Sequence, residues 1–334
     1  MRSLLLVPVL ALGVVPAHTS AQDTTLTFAR ATAPDTATKL PLKPARKVTF
    51  TTDEGTWLSL DVSPDGKTMV FDLLGDLYLL PIAGGEAKRI TSGMAWDCMP
   101  RFAPDGKSIA FISDRSGSDN LWLVNPDGTG AHPITRETDN ALSSPIWTPD
   151  GEYLVVRRFG PYPTRENYLT NVPLWMYHKD VGTGIELYPR RPNTPTTNTG
   201  AAFSPDGRTV YFSTHAGGYA GSEVGRYQVM ELDRKTGESR TVTFGYGGGL
   251  RPIVSPDGRY LVYATRQDAT TALRIRDLQT LKEEWLVAHM QRDDQEGYAP
   301  NDILPGYGFT PDSRSVVFTG DGKIKRVDVA TRQV

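Results

Sequence analysis

The stretch that decides the fold is Arg101–Gly128, RFAPDGKSIAFISDRSGSDNLWLVNPDG. Read at period two, it gives a short strand ending at Phe102, a turn at Ala103-Pro104-Asp105-Gly106 and a strand over Ser108–Ile112. A polar loop, Ser113–Asn120, leads to a strand over Leu121–Val124 and a second tight turn, Asn125-Pro126-Asp127-Gly128. Pro104 presets φ for the first central turn position, Asp105 accepts the second, and Gly106 takes the left-handed conformation that closes the hairpin. Ile109, Phe111, Leu121 and Leu123 alternate onto one apolar face. A single unit cannot bury that face alone, so it should recur.

The same turn returns as Ser63–Gly66, Thr148–Gly151, Ser204–Gly207, Ser255–Gly258 and Thr310–Ser313. Its prolines stand at 64, 104, 149, 205, 256 and 311, a period in the forties to fifties with several strands per repeat. That period points to an all-β, six-bladed β-propeller built of four-stranded antiparallel blades. In the sixth turn Ser313 replaces the glycine, which costs about 1 kcal/mol if it is left-handed. Blade six shows only three strands before Val334, whereas Lys47–Thr51 (KVTFT) has the offset of an outer strand with no preceding blade. Pairing of strand 47–51 with Lys323–Val329 would close the ring and leave no long open edge. A further strand beyond Val334 is the alternative.

Met1-Arg2, the apolar run Leu4–Pro16 and the small residues Thr19-Ser20-Ala21 read as a signal peptide cleaved after Ala21. The run is broken by Pro8 and Pro16 and falls short of the roughly 20 residues a membrane span needs. The expected organisation is therefore a signal peptide over 1–21, a flexible Thr/Ala/Pro-rich leader over 22–46 and the propeller over 47–334. The mature chain is expected to be periplasmic or secreted, with no membrane span. Cys98 is the lone cysteine, so no internal disulfide exists, and it is expected to pack as a small hydrophobe. With 36 basic residues against 38 acidic ones, net −2, nothing in the charge calls for nucleic acid or an anionic membrane.

Loop lengths divide the two ends of the ring. The turns joining strands one to two and three to four are short and share one face. Length variation collects on the other, at Arg158–Pro173, Thr214–Arg226 and Ala288–Gly306. Long loops on a rigid scaffold are disproportionately functional. The candidate binding face is accordingly Arg115, Arg157, Arg158, Tyr162, His215 and Arg266, with the acids Asp293, Asp294 and Glu296.

Catalytic signals are missing. No serine has glycines at both minus two and plus two, and the five histidines include no metal-binding pair. Asp293–Glu296 lacks the alternation and turn glycine of a calcium loop, and Gly245–Gly249 opens no helix that could cradle phosphate. No catalytic residue, cofactor or metal is expected.

The [ST]-P-D-G turns with their LWLVN and IKRVD strands resemble the TolB-like propeller repeat over Lys47–Arg332. Further segments are Thr51–Trp57, Asp61–Gly66 with Phe71–Asp76, Gln291–Glu296 and Leu304–Tyr307. Together they look like the N-terminal propeller of large exported amidohydrolases, whose metal-dependent barrel follows the propeller. No histidine of such a barrel has a counterpart here, so nothing catalytic carries over. The resemblance implies a non-catalytic module for protein interaction or substrate gating, truncated or separately encoded, with an amidohydrolase domain as partner. The alternative is a stand-alone TolB-like periplasmic scaffold that binds a protein or peptide.

Overall fold

A computed structural model describes residues 45–46, 48–160, 172–180, 182–188, 196–216, 227–292, 302 and 304–334. Blade one comprises β1 (Leu60–Val62), β2 (Thr68–Leu73), β3 (Asp76–Pro81) and β4 (Lys88–Arg89). Blade two comprises β5 (Asp97–Phe102), β6 (Ile109–Ser113), β7 (Asn120–Val124) and β8 (His132–Pro133). In blade three these are β9 (Ala141–Trp147), β10 (Tyr153–Phe159), β11 (Leu174–His178) and β12 (Ile185–Tyr188). Blade four follows with β13 (Thr196–Phe203), β14 (Thr209–Ala216), β15 (Gln228–Asp233) and β16 (Ser239–Thr241). Blade five has β17 (Leu250–Val254), β18 (Tyr260–Gln267), β19 (Thr270–Asp277) and β20 (Glu283–Arg292). Blade six has β21 (Gly308–Phe309), β22 (Ser315–Gly320) and β23 (Lys323–Asp328). Each sheet is antiparallel with its strands in sequence order, so the six-bladed all-β architecture holds.

The repeat turns do two jobs. In blade one the Ser63 hydroxyl donates to Asp65 Oδ1 at 2.6 Å, and that oxygen accepts the Lys67 amide at 3.0 Å. Gly66 sits at φ 70°. The turn glycines also face the neighbouring blade: a Cβ on Gly106 would meet Pro64, one on Gly151 Pro104, and one on Gly258 Pro205. A Cβ on Gly66 would meet Pro311 at 3.3 Å, so the ring of turns runs from blade six back to blade one. Ser313, at φ 61°, has a compensating contact, since its hydroxyl oxygen accepts the Asp257 amide at 3.1 Å.

Apolar side chains fill the seams between blades. Val70, Leu77 and Ile90 of blade one pack with Phe102, Phe111 and Trp122 of blade two. Val317 of blade six packs with Leu58, Leu60, Val62 and Phe71 of blade one. Cys98 is buried in the blade-two core, where burial pushes its thiol pKa up.

Closure differs from the expected pairing. Val48–Thr51 form no strand, Val48 and Phe50 are each 62% exposed, and Lys47 lies outside the described residues. Blade six meets blade one by other bonds: the Gly55 amide donates to Gly322 O, the Leu60 amide to Gly306 O and the Thr319 hydroxyl to Leu58 O. The edge beside β23 is reached from β23 itself. The Asp328 amide donates to Gln333 O, as Asp233 does to Glu238 O and Asp277 to Lys282 O where blades four and five turn into their outer strands. In all three turns the aspartate Oδ1 accepts the amides two and three residues on. Val48–Thr51 therefore supply no fourth strand to blade six.

Ser313→Ala keeps the left-handed backbone and loses the acceptor for the Asp257 amide, so it should destabilise by about 1–2 kcal/mol. Ser313→Gly relieves strain worth about 1 kcal/mol and should cost markedly less. Equal losses in urea denaturation would mean that the strain is absent.

Candidate functional site

The site follows from a register that all six repeats share. Five residues before each turn proline stand Ser59, Met99, Ser144, Gly200, Arg251 and Gly306. Here the innermost strands of blades two to five break register: between Cys98 and Arg101, opposite Val155 and Arg157, between Thr199 and Ala201, and between Leu250 and Ile253. Met99, Ser144, Gly200 and Arg251 adopt left-handed backbone at φ 55, 53, 46 and 46°. A bulge of this kind re-aims the side chains beyond it. In β9 and β13, which begin at Ala141 and Thr196, the extra residue interrupts the period-two pattern.

Two residues further on, Asp61, Arg101, Ile146, Ala202, Ile253 and Gly308 form the next layer, and all six line one cavity of about 230 Å³. Pro149 and Pro256 of the repeat turns also line it, so it opens on the short-turn face. Its wall is mixed. Blades one and two supply Asp61 and Arg101, whereas blades three to five supply Ile146, Ala202 and Ile253 along with Ser144 and Arg251.

Ser144 and Arg251 of the cavity lining are bonded by Asp302 of the connector from blade five to blade six. Asp302 is buried at φ 66° and accepts from the Ser144 and Thr199 hydroxyls and from Arg251 Nη1; Arg157 Nη1 lies 3.3 Å from its Oδ1. Burial drives this carboxyl pKa upward, but the charges of Arg251 and Arg157 and the two hydroxyls outweigh it, and the net shift is downward. Further along, Arg251 Nη1 donates to Leu304 O at 3.2 Å, and the Gly306 amide donates to Ser59 Oγ at 2.8 Å. Residues 302–306 thus bond to blades three, four, five and one in turn.

Two more carboxylates staple blade one to blade two. Asp72 accepts the Ser59 and Met99 amides at 2.7 Å each, and Asp61 Oδ2 accepts the Phe102 amide at 2.8 Å. Burial raises both pKa values, that of Asp72 to about 6.

Of the nine residues expected on the long-loop face, five are described, and each makes contacts of its own. Tyr162, Asp293, Asp294 and Glu296 lie outside the described residues. Arg115 donates to Asp97 and to Ser113 Oγ, with its guanidinium over Phe111 and Trp122. Arg157 is buried, donating to Asn198 O at 2.8 Å besides Asp302. Arg158 grips Glu137 through two bonds, at 3.0 and 3.1 Å, and covers Trp175. His215 is buried against Tyr227, and the Arg266 amide donates to Gly247 O. The residues missed were Asp61, Arg101, Arg251 and Asp302. Counting back from each turn proline would have found the first three, since the repeats align there. Asp302 lies in a connector with no repeat register. Among the described residues no cluster of His, Cys, Asp or Glu could hold a metal ion, and no helix is long and apolar enough to cross a membrane.

Comparison with known proteins agrees with this geometry. A family model described as TolB beta propeller domain matches residues 31–161. The crystal structure of TolB from Acinetobacter baumannii superposes with a TM-score of 0.59 at 17% identity, covering 82% of this chain and 61% of that one. The fold is that of a TolB-like β-propeller. Among sequence relatives, the Tol-Pal system protein TolB of Wolinella succinogenes is 29% identical over 182 residues, 52% of this chain and 39% of that protein. The uncharacterized peptidase YuxL of Bacillus subtilis is 25% identical over 201 residues, 58% of this chain but 26% of that protein. This TolB-like propeller thus spans well under half the length of either relative.

Asp302→Ala would leave Arg157 and Arg251 buried without their carboxylate, so a loss of about 3–5 kcal/mol is expected in chemical denaturation. The staple at Asp72 has the opposite pH signature. Its folded pKa, about 6, lies above the ordinary 3.8, so the folded state binds more protons between these values and stability falls as pH rises through them. The stability of the wild type relative to Asp72→Asn should drop by about 2 kcal/mol from pH 4 to pH 7. A difference that stays flat over that range would overturn this account of Asp72.

Proposed function

We propose that this TolB-like propeller is a non-catalytic binding module that receives a peptide or protein partner at the short-turn mouth of its channel. The carrying observation is the cavity of about 230 Å³ open between the repeat turns, whose lining residues Ser144 and Arg251 are bonded by Asp302. A cup that sets Asp61, Arg101 and Arg251 beside Ile146, Ala202 and Ile253 suits recognition of a chain end or loop. The channel carboxylates hold structure, Asp302 between two guanidiniums and two hydroxyls and Asp61 and Asp72 on backbone amides. The signal-peptide reading of residues 1–21 supports a role outside the cytoplasm, in the periplasm or secreted.

A second reading makes the propeller one region of a longer exported hydrolase, such as a metal-dependent amidohydrolase whose barrel would be its partner. The segments shared with amidohydrolase propellers favour it, as does the 26% share of the peptidase relative that the chain spans. Passage of substrate through the ring fits less well, because residues 302–306 bond across it.

Selection of a random displayed peptide library on the purified chain tests the proposal. Enriched peptides should bind Ala202→Phe, which fills the cup, at least about tenfold more weakly, a 1.4 kcal/mol effect. Phe244→Ser, on the exposed inter-blade connector, should leave their binding unchanged, with folding of both variants checked by thermal unfolding. Peptides that ignore Ala202→Phe would place recognition elsewhere.

A further inference from the structure

Three buried arginines reach the channel, and one stands apart. Arg157 and Arg251 share Asp302. Arg101 is 6% exposed and donates through Nη1 only to backbone carbonyls, Leu60 O at 2.5 Å and Pro100 O at 3.3 Å. Among the described residues no carboxylate oxygen lies within ion-pair distance of it. Its guanidinium rests against Gly306, where a Cβ would come within 2.4 Å of Nη2, so blade six makes room for it by lacking a side chain. Burial and the like charge of Arg251 depress the Arg101 pKa to about 10. The charges of Asp61, Asp302 and Asp72 act the other way without touching the guanidinium, and a carboxylate is its best-matched direct partner.

The geometry points to a ligand: we infer that the cup binds the free C-terminal carboxylate of a peptide, held by Arg101, with the terminal aliphatic side chain against Ile146, Ala202 and Ile253. This rests on the proposed binding role and specifies its chemistry. The three apolar residues stand in the same layer of the ring as Arg101, on the blades across the cavity. A terminal leucine or valine joins the two chemistries within one residue. Asp61, beside Arg101, is engaged by the Phe102 amide, and its charge disfavours ligands with a second anion next to the carboxylate. The shared chemistry, a carboxylate next to a small aliphatic group, also exists in free small acids, and the test separates the two sources.

The experiment is calorimetric titration of the full chain with three probes: an acetylated tripeptide ending in leucine, its C-terminal amide, and N-acetyl-leucine. The acid should bind at least tenfold more tightly than the amide, as loss of a charge-assisted hydrogen bond predicts. It should also bind more tightly than N-acetyl-leucine. Arg101→Gln should abolish the preference for acid over amide, and Ile253→Ser should weaken the acid without removing the preference. Equal binding of acid and amide to the wild type would overturn the inference with no variant needed. If both then lose affinity for Ala202→Phe, the peptide-binding role survives; if neither binds, both readings fall. N-acetyl-leucine binding as tightly as the tripeptide would assign the cup to a free small acid and overturn the peptide source.

Discussion

A single carboxylate, Asp302, stands between two buried guanidiniums and two hydroxyls drawn from blades three, four and five. Charges removed from water survive only where geometry and hydrogen bonding compensate them, so these partners must keep their positions. The left-handed bulges that aim Ser144 and Arg251 inward and the path of residues 302–306 both follow from that constraint. A propeller is otherwise a set of near-independent sheets. Asp302 gives three of them a common centre.

The outer architecture rests on a different and weaker device, repeated six times. Five of the six turn prolines lie against the turn glycine of the next blade, and at the sixth Ser313 bonds to Asp257, so the blades are spaced by small contacts and by the side chains of the seams. The ring meets itself through Pro311 and Gly66 and through hydrogen bonds between the two ends of the chain's propeller, Gly55 to Gly322, Leu60 to Gly306 and Thr319 to Leu58 among them. An outer strand is therefore not what joins the first blade to the last. The three aspartate-nucleated turns at Asp233, Asp277 and Asp328 show the same local chemistry directing the chain toward the outer edge of its own blade.

Charge in the channel is arranged unevenly, and the unevenness gives the cup its character. Asp302 answers two arginines, while Asp61 and Asp72 are turned to backbone amides and leave Arg101 without a carboxylate of its own. The apolar layer of Ile146, Ala202 and Ile253 faces it across the cavity. The arginines described toward the long-loop face are held in ion pairs: Arg115 to Asp97, Arg158 to Glu137, Arg157 to Asp302. The short-turn face, uniform in sequence, holds the opening.

Six turns at a regular period determined the fold by themselves, because proline, aspartate and glycine act locally and the alternating strands between them have no other way to bury one face. The strands of Arg101–Gly128 were readable for the same reason, up to the bulge at Met99. Beyond it the period-two pattern fails, since a left-handed residue shifts every side chain after it to a new direction. Arg101 and Asp61 were visible as residues but not as neighbours, for their meeting depends on two blades closing side by side. Asp302 had no local signature at all. Its role exists only because the ring brings Arg157 and Arg251, far apart in sequence, to one point, and charge pairing in a buried space is decided by distance in three dimensions.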